Sequence, residues 1–295
     1  MMKLIDKYIE YLRYEKNRSS YTEISYSTDL SQFADYLQNA HGEMTLSDVD
    51  SDIVRLWVVS LMKSGISARS VNRKLSALKS FYKYLKKIGE VDRDPAGRVT
   101  APKMKKPIPV FVKDKDMESL LQEPAEGAGF VEYRDHLILE LFYMTGIRRA
   151  ELIGMKDPDV DFSSQMIQVT GKGNKQRLIP FSKDLSVKLA RYVELRVEEV
   201  AAPAAAFFVK EDGGAMYPML VHRVITEKLK MISVLSKTSP HVLRHSFATA
   251  MLNNGADINA VKEILGHASL AATEVYTHTS FEELKNIYNQ AHPRA

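Results

Sequence analysis

The sequence predicts a mainly α-helical protein with one small antiparallel β-sheet, on three observations. Apolar residues recur at three- and four-residue spacing through most of the chain. Helix start signals stand at Ser20, Asp50 or Ser51, Ser67, Ser239 and Asp257. Only between Asp159 and Phe181 does the pattern turn to strand character, around a glycine-rich tip.

In chain order, Leu4, Ile5, Tyr8, Ile9 and Leu12 mark the inner face of a first helix. Ser20 with Glu23 reads as a capping box for a second, whose face is Ile24, Leu30, Phe33 and Leu37. A third helix ends near Lys63-Ser64-Gly65, and a fourth shows Val71, Leu75, Leu78, Tyr82 and Leu85. No acidic residue occurs between Ile53 and Gly89, a span that carries Arg69, Arg73, Lys74, Lys79 and Lys83. On a solvated helix face acids normally alternate with lysines; a face of one sign suits a duplex backbone instead, where each neutralised phosphate releases counterions.

The stretch from Asp92 to Pro109 holds Pro95, Pro102, Pro107 and Pro109 with Lys103, Lys105 and Lys106, the composition of a semi-rigid basic linker. The expected organisation is a helical domain over 1–92, a linker over 93–112 and a second domain over 113–295. The 295 residues leave room for two such cores. Net charge is +4, and it is unevenly spread: residues 1–105 hold 18 Lys and Arg against 13 Asp and Glu. With 45% hydrophobic and 26% charged residues, the composition is that of an ordinary globular protein. No apolar run approaches the roughly 20 residues of a membrane span, and the start MMKLIDKYIEYLRYEK lacks a signal peptide's apolar centre. The expectation is a cytoplasmic protein without membrane attachment. The absence of Cys excludes disulfides, thiol catalysis and cysteine-ligated zinc.

In the second domain, residues 134–144 (RDHLILELFYM) form an apolar helix stopped by Thr145-Gly146, and a new helix starts after Ile147. There Arg148 stands one turn before Glu151, close enough for a charge-assisted hydrogen bond. Residues 166–169 and 177–179 flank the tip Gly171-Lys172-Gly173-Asn174-Lys175. The tip lacks the G-x-x-x-x-G-K-[ST] phosphate-loop pattern. Residues 191–200 read as an exposed helix, and 281–290 as a last helix striped by Phe281, Leu284, Ile287 and Tyr288.

The densest chemistry lies in residues 238–279 (TSPHVLRHSFATAMLNNGADINAVKEILGHASLAATEVYTHT). Pro240 suits the first turn of a helix, which sets His241 and Arg244 at i and i+3 near the positive end of its dipole, a place for an anion such as phosphate. His241 and His245 invite a metal reading, but Val242 stands where the zinc-protease pattern needs Glu. No metal site is expected. The next helix ends at Gly266, a natural left-handed cap, which leaves His267 just outside it. Ser269 opens a third short helix carrying Tyr276.

The elements T-G-x-R-x-x-E-L, H-x-x-R, L-G-H and Y-T-H, in this order, resemble the tyrosine recombinases, also called the phage-integrase family. The resemblance runs along nearly the whole chain. It implies a helical core-binding domain followed by a tyrosine-recombinase catalytic domain, with Tyr276 as the nucleophile that forms a 3′-phosphotyrosyl link. It further implies that Arg148 and Arg244 clamp the non-bridging oxygens and that Lys172 protonates the leaving 5′-oxygen. His241 would assist proton transfer, His267 would hydrogen-bond the phosphate, and Glu151 would support Arg148. Lys175 is a second hairpin lysine able to meet DNA beside the basic helix. The reaction needs no cofactor, metal or nucleotide, because the link conserves the diester's energy. Within the family, GKGNKQRLIP, LGHASLAATEVYTH and the ending HPRA look like Xer-type chromosome-resolving recombinases. That implies double-stranded DNA as partner and a tetramer on a recombination site reached through a Holliday junction. It also implies a second Xer-type recombinase and a septal DNA translocase as activator; the family's tail helix docks on the neighbouring subunit, while the stripe over 281–290 could equally pack at home. The alternatives are a mobile-element integrase with the same chemistry, a relaxing topoisomerase, and a non-catalytic DNA-binding protein retaining the fold.

Overall fold

The computed structural model describes residues 1–104, 110–124, 127–171, 174–232, 235, 238–266 and 281–294. The chain divides into two units, Met1–Pro107 and Ile108–Ala295.

The first unit is built from α1 (Met2–Tyr14), α2 (Ser20–His41), α3 (Ser51–Lys63) and α4 (Ala68–Lys87). Asp50 caps α3 by accepting from the amides of Asp52 and Ile53, and Ser67 caps α4 by accepting from Ser70. The expected face of α4 is buried throughout, packing with Ile5, Tyr8, Phe33 and Trp57 into one core. Two expectations for α2 fail. Its N-cap is Ser19, without a side-chain cap bond, and Glu23 is drawn away by Arg13, whose Nε donates to it at 3.0 Å. Ile24 is 64% exposed, because the inward position of the first turn is taken by Glu23, 7% exposed and seven residues before Leu30. Much of the proline-rich stretch is packed rather than free. Val91, Ala96 and Val99 are buried in this core, Ser51 donates to the Pro95 carbonyl at 2.9 Å, and Asn72 to that of Pro102 at 3.1 Å. The expected linker residues Lys105, Lys106, Pro107 and Pro109 lie outside the described residues.

The second unit runs α5 (Asp114–Leu120), α6 (Phe130–Thr145), α7 (Arg149–Gly154), β1 (Val160–Asp161), β2 (Met166–Thr170), β3 (Gln176–Pro180), α8 (Lys183–Glu199), α9 (Pro218–Leu229), α10 (Pro240–Asn253), α11 (Ile258–Leu265) and α12 (Phe281–Ala291). The sheet is antiparallel in the order β1-β2-β3, with Met166 opposite Pro180 and Thr170 opposite Gln176. Every residue of α6 from His136 to Thr145 is buried, so this helix is the unit's axis, as an all-round apolar helix must be. The helix expected over 191–200 begins eight residues earlier, and it is not simply exposed: Leu185, Leu189, Tyr192 and Leu195 face inward. The earlier start is set by Ser182, which accepts from the Leu185 amide.

The last helix, α12, packs on its own chain here. Leu284 and Tyr288 are 4% and 0% exposed within the unit's core, and Ile287 is partly buried against it. Asn254 donates to the Ala291 carbonyl at 2.9 Å. The Phe281 side chain lies outside what is described. Among the described residues no helix is long and apolar enough to cross a membrane.

Candidate active site

Gly146 ends α6 in the left-handed conformation, φ +59°. A Cβ there would stand 2.7 Å from side-chain atoms of both Leu265 and Phe247, so only glycine lets α10 and α11 close on this turn. Two residues on, Arg148 is the N-cap of α7, and its backbone N–H donates to Glu151 Oε2 at 2.8 Å. The Arg148 guanidinium also reaches Glu151, Nη1 to Oε1 at 2.7 Å. Arg177 of β3 grips the other side of the same carboxylate with two parallel bonds of 2.6 and 2.9 Å. Burial alone would push the Glu151 carboxyl up; the bonds from Arg177 and then Arg148 overcome it and hold the group at about 2.

Arg244, one turn into α10 and 9% exposed, donates Nη1 to the Gly146 carbonyl at 2.6 Å and Nη2 to that of Leu265. Arg148 Nη2 takes the next carbonyl, Gly266, at 2.6 Å. Arg177 Nε takes the preceding one, Ile264, at 2.8 Å. Three arginines from three elements therefore converge on three consecutive carbonyls at the C-terminal end of α11. Those carbonyls lack helical partners and carry the negative end of the helix dipole. Around one buried carboxylate this leaves an excess of positive charge. The Arg244 guanidinium feels it: burial first, then Arg148 and Arg177, push it down to about 10. The His241 imidazole is likewise lowered from its ordinary value, by partial burial and then by Arg149 and Arg244. Planar guanidinium donors around a surplus of positive charge suit an anion, and a lowered imidazole suits a proton acceptor.

Asp257 caps α11 as expected, and Gly266 ends it at φ +63°. Ser239 is the N-cap of α10 but makes no side-chain cap bond. His245 is exposed. Lys172, His267, Tyr276 and the short helix expected from Ser269 lie outside the described residues. The described neighbours of two of them end at the arginines. A Cβ on Gly171 would lie 3.4 Å from Glu151 Oε1 and 3.8 Å from Arg148 Nη1, and Gly266 itself accepts from Arg148.

Not every cation of the basic helix is free: Lys74 is 5% exposed and donates to Asp29 Oδ1 at 2.9 Å and to Gln32. Arg73 pairs with the same Asp29, and Lys79 donates to the carbonyls of Gly97 and Val99. The missing acid is supplied by α2, so the one-signed face is narrower than the sequence of α4 implies. Arg69 and Lys83 are exposed, as is Lys175 in the second unit.

The residue that sequence reading passed over is Arg177. It stands inside GKGNKQRLIP, and an arginine on a strand only two residues past a lysine-bearing tip was the available signal.

Residues 111–283 match the model of the phage integrase family, and residues 5–89 that of the phage integrase N-terminal SAM-like domain. The tyrosine recombinase XerC of Chlorobaculum tepidum is 37% identical, the match covering 99% of this chain and 94% of that protein. XerC of Psychromonas ingrahamii is also 37% identical, over 99% and 97%. Among solved structures, the XerH site-specific recombinase bound to its difH substrate in a pre-cleavage complex shares the fold. Its TM-score is 0.70 at 22% identity, covering 97% of this chain and 83% of that one. The Tn1549 transposon integrase with circular intermediate DNA does so at 0.72 and 20%, covering 97% of each. With the arginine site in place and both domain models matched in order, the chain belongs to the phage integrase family of tyrosine recombinases, enzymes that break and rejoin DNA strands.

Proposed function

We propose that the chain is an Xer-type site-specific recombinase that resolves chromosome dimers, with Tyr276 as nucleophile. The observation that carries the chemistry is the convergence of Arg148 and Arg244 on the adjacent carbonyls of Gly266 and Leu265. Two guanidiniums aimed at neighbouring acceptors suit the two non-bridging oxygens of one phosphodiester. In the step, the Tyr276 oxygen bonds to phosphorus as the bond to the 5′-oxygen breaks. The phenolic proton passes to His241, and Lys172 supplies one to the departing oxygen; His267 hydrogen-bonds the phosphate. Religation runs the same step backwards, so the energy of the diester is kept. The Xer assignment is supported by identity to XerC proteins along the full length. It carries with it a tetramer on DNA, a second Xer-type recombinase and a septal DNA translocase as activator.

Tyr276→Phe removes one hydroxyl and is expected to abolish covalent complex on a nicked suicide substrate while half-site binding persists. A Phe variant that still trapped DNA would move the nucleophile elsewhere. Mapping covalent attachment of the wild-type protein across genomic fragments tests the biological role. One chromosomal site supports it; attachment confined to the ends of a mobile element overturns it.

For the first unit, Arg69 and Lys83 are the proposed backbone contacts. Replacing both with Ala is expected to flatten the salt dependence of binding by about one to two units, at ~0.9 per phosphate. Lys74→Met should leave that slope unchanged and lower the melting temperature, because it leaves Asp29, 1% exposed, with Arg73 as its one remaining cationic partner among the described residues. The opposite pattern would put DNA against Lys74.

A further inference from the structure

We propose that Arg177 is a positioning residue of the cleavage reaction. It holds the Glu151 carboxylate and the last turn of α11 together, and so aims Arg148 at the phosphate. The inference rests on the reading of Arg148 as a phosphate ligand and goes beyond it to the residue that sets its geometry.

Arg177 uses its whole guanidinium. Nη1 and Nη2 bind the two oxygens of Glu151, and Nε binds the Ile264 carbonyl. Its side chain is only 12% exposed, so it supports the site from behind rather than meeting DNA. Gly266 confirms how tightly the two elements meet, since a Cβ there would lie 2.8 Å from Arg177 Cδ. Arg177 therefore joins β3, α7 and α11 at a single point, and the carbonyls of Leu265 and Gly266 beside it receive Arg244 and Arg148.

The pair Arg177–Glu151 is also electrically necessary. The Glu151 side chain is 2% exposed, where an ionised carboxylate survives only if it is paired and hydrogen-bonded. The charged groups facing it among the described residues are Arg148 from its own turn, Arg177 from β3 and Arg244 from α10. Asp159 lines the same small cleft beside it. Of these, Arg177 binds both carboxylate oxygens with its guanidinium, whereas Arg148 uses its backbone N–H for one of them. Without it, burial pushes the carboxyl upward, and a protonated Glu151 accepts from Arg148 less strongly and no longer fixes its fork.

The test is single-turnover cleavage of a nicked suicide substrate at saturating protein, from about pH 5 to about pH 8, for Arg177→Gln and Arg177→Lys. Arg177→Gln is expected to bind a half-site within about threefold of wild type but to cleave about a hundredfold more slowly at the acid end. The deficit should shrink as pH rises and Glu151 ionises, giving an acid limb steeper than that of wild type. Glu151→Gln carries no titrating carboxyl, so the added limb must vanish in the double variant. If Arg177→Gln does not fold, Arg177→Lys, which keeps the charge and loses the fork, tests the positioning alone: cleavage slowed at every pH, without the added acid limb, is then expected. Cleavage within about threefold of wild type at every pH, or an added limb that survives in the double variant, overturns the inference. Failure of the parent reading looks different: Tyr276→Phe, or a variant without the Arg148 guanidinium, would then still form covalent complex.

Discussion

Arg244→Lys is expected to slow cleavage by about a hundred- to a thousandfold, the cost of losing a preorganised donor to the transition state. The guanidinium spans two backbone carbonyls from different elements, Gly146 and Leu265, and is almost wholly buried. An ammonium is a compact point charge that can reach one of these acceptors but cannot hold both and still present a flat edge to phosphate. Arg148→Lys should cost less, because Arg177 keeps Glu151 ionised and the turn in place when Arg148 is shortened. Single-turnover rates at saturating protein, with half-site affinity measured alongside, separate a chemical defect from a binding one. Near-normal rates for Arg244→Lys would remove the clamp from the mechanism.

What the sequence made legible is what local chemistry decides. The caps at Asp50, Ser67 and Asp257 and the stops at Gly146 and Gly266 need only neighbours in the chain, and each appears where its residue type demands. Periodicity likewise placed the buried stripe of α4. Charges were misread wherever the partner lay far along the chain. Lys74 is balanced by Asp29, 45 positions away on α2, and no inspection of α4 alone could show it. Arg177 was passed over for the same reason: its partners Glu151 and Ile264 lie 26 and 87 positions off. The α9 helix was missed although Pro218 at its first turn and the inward residues Val221, Val224, Ile225 and Leu229 follow ordinary rules. Arg148, Glu151 and Arg244 were legible because motif spacing records a three-dimensional constraint that periodicity does not.

Deleting the residues after Thr279 is expected to destabilise the second unit, not merely to weaken assembly. Leu284, Tyr288 and Ala291 lie in its core, and burying side chains of the larger kind stabilises by about 1.5–3 kcal/mol each. Set against a typical domain stability of about 5–15 kcal/mol, losing the helix is severe. His292 adds to the loss. It is 5% exposed and stacks with Phe247 and Tyr288, at ring-centroid distances of 5.5 and 5.3 Å. Burial pushes its imidazole down to about 4, and burial does the same to His136 on α6. An unfolded chain protonates these rings near pH ~6.5. The unfolded state therefore binds more protons between about pH 6.5 and about pH 4. The stability these rings contribute is complete above that window and is lost as pH falls through it. His292→Gln should flatten this dependence without removing it, since His136 titrates in the same range. Thermal melts of the truncated and substituted chains across that window check both expectations. A truncated chain that melted like wild type would mean that α12 adds nothing at home and is free to dock on a neighbour. A lowered melting temperature would mean that any such exchange must first break the contacts of Leu284, Tyr288 and His292.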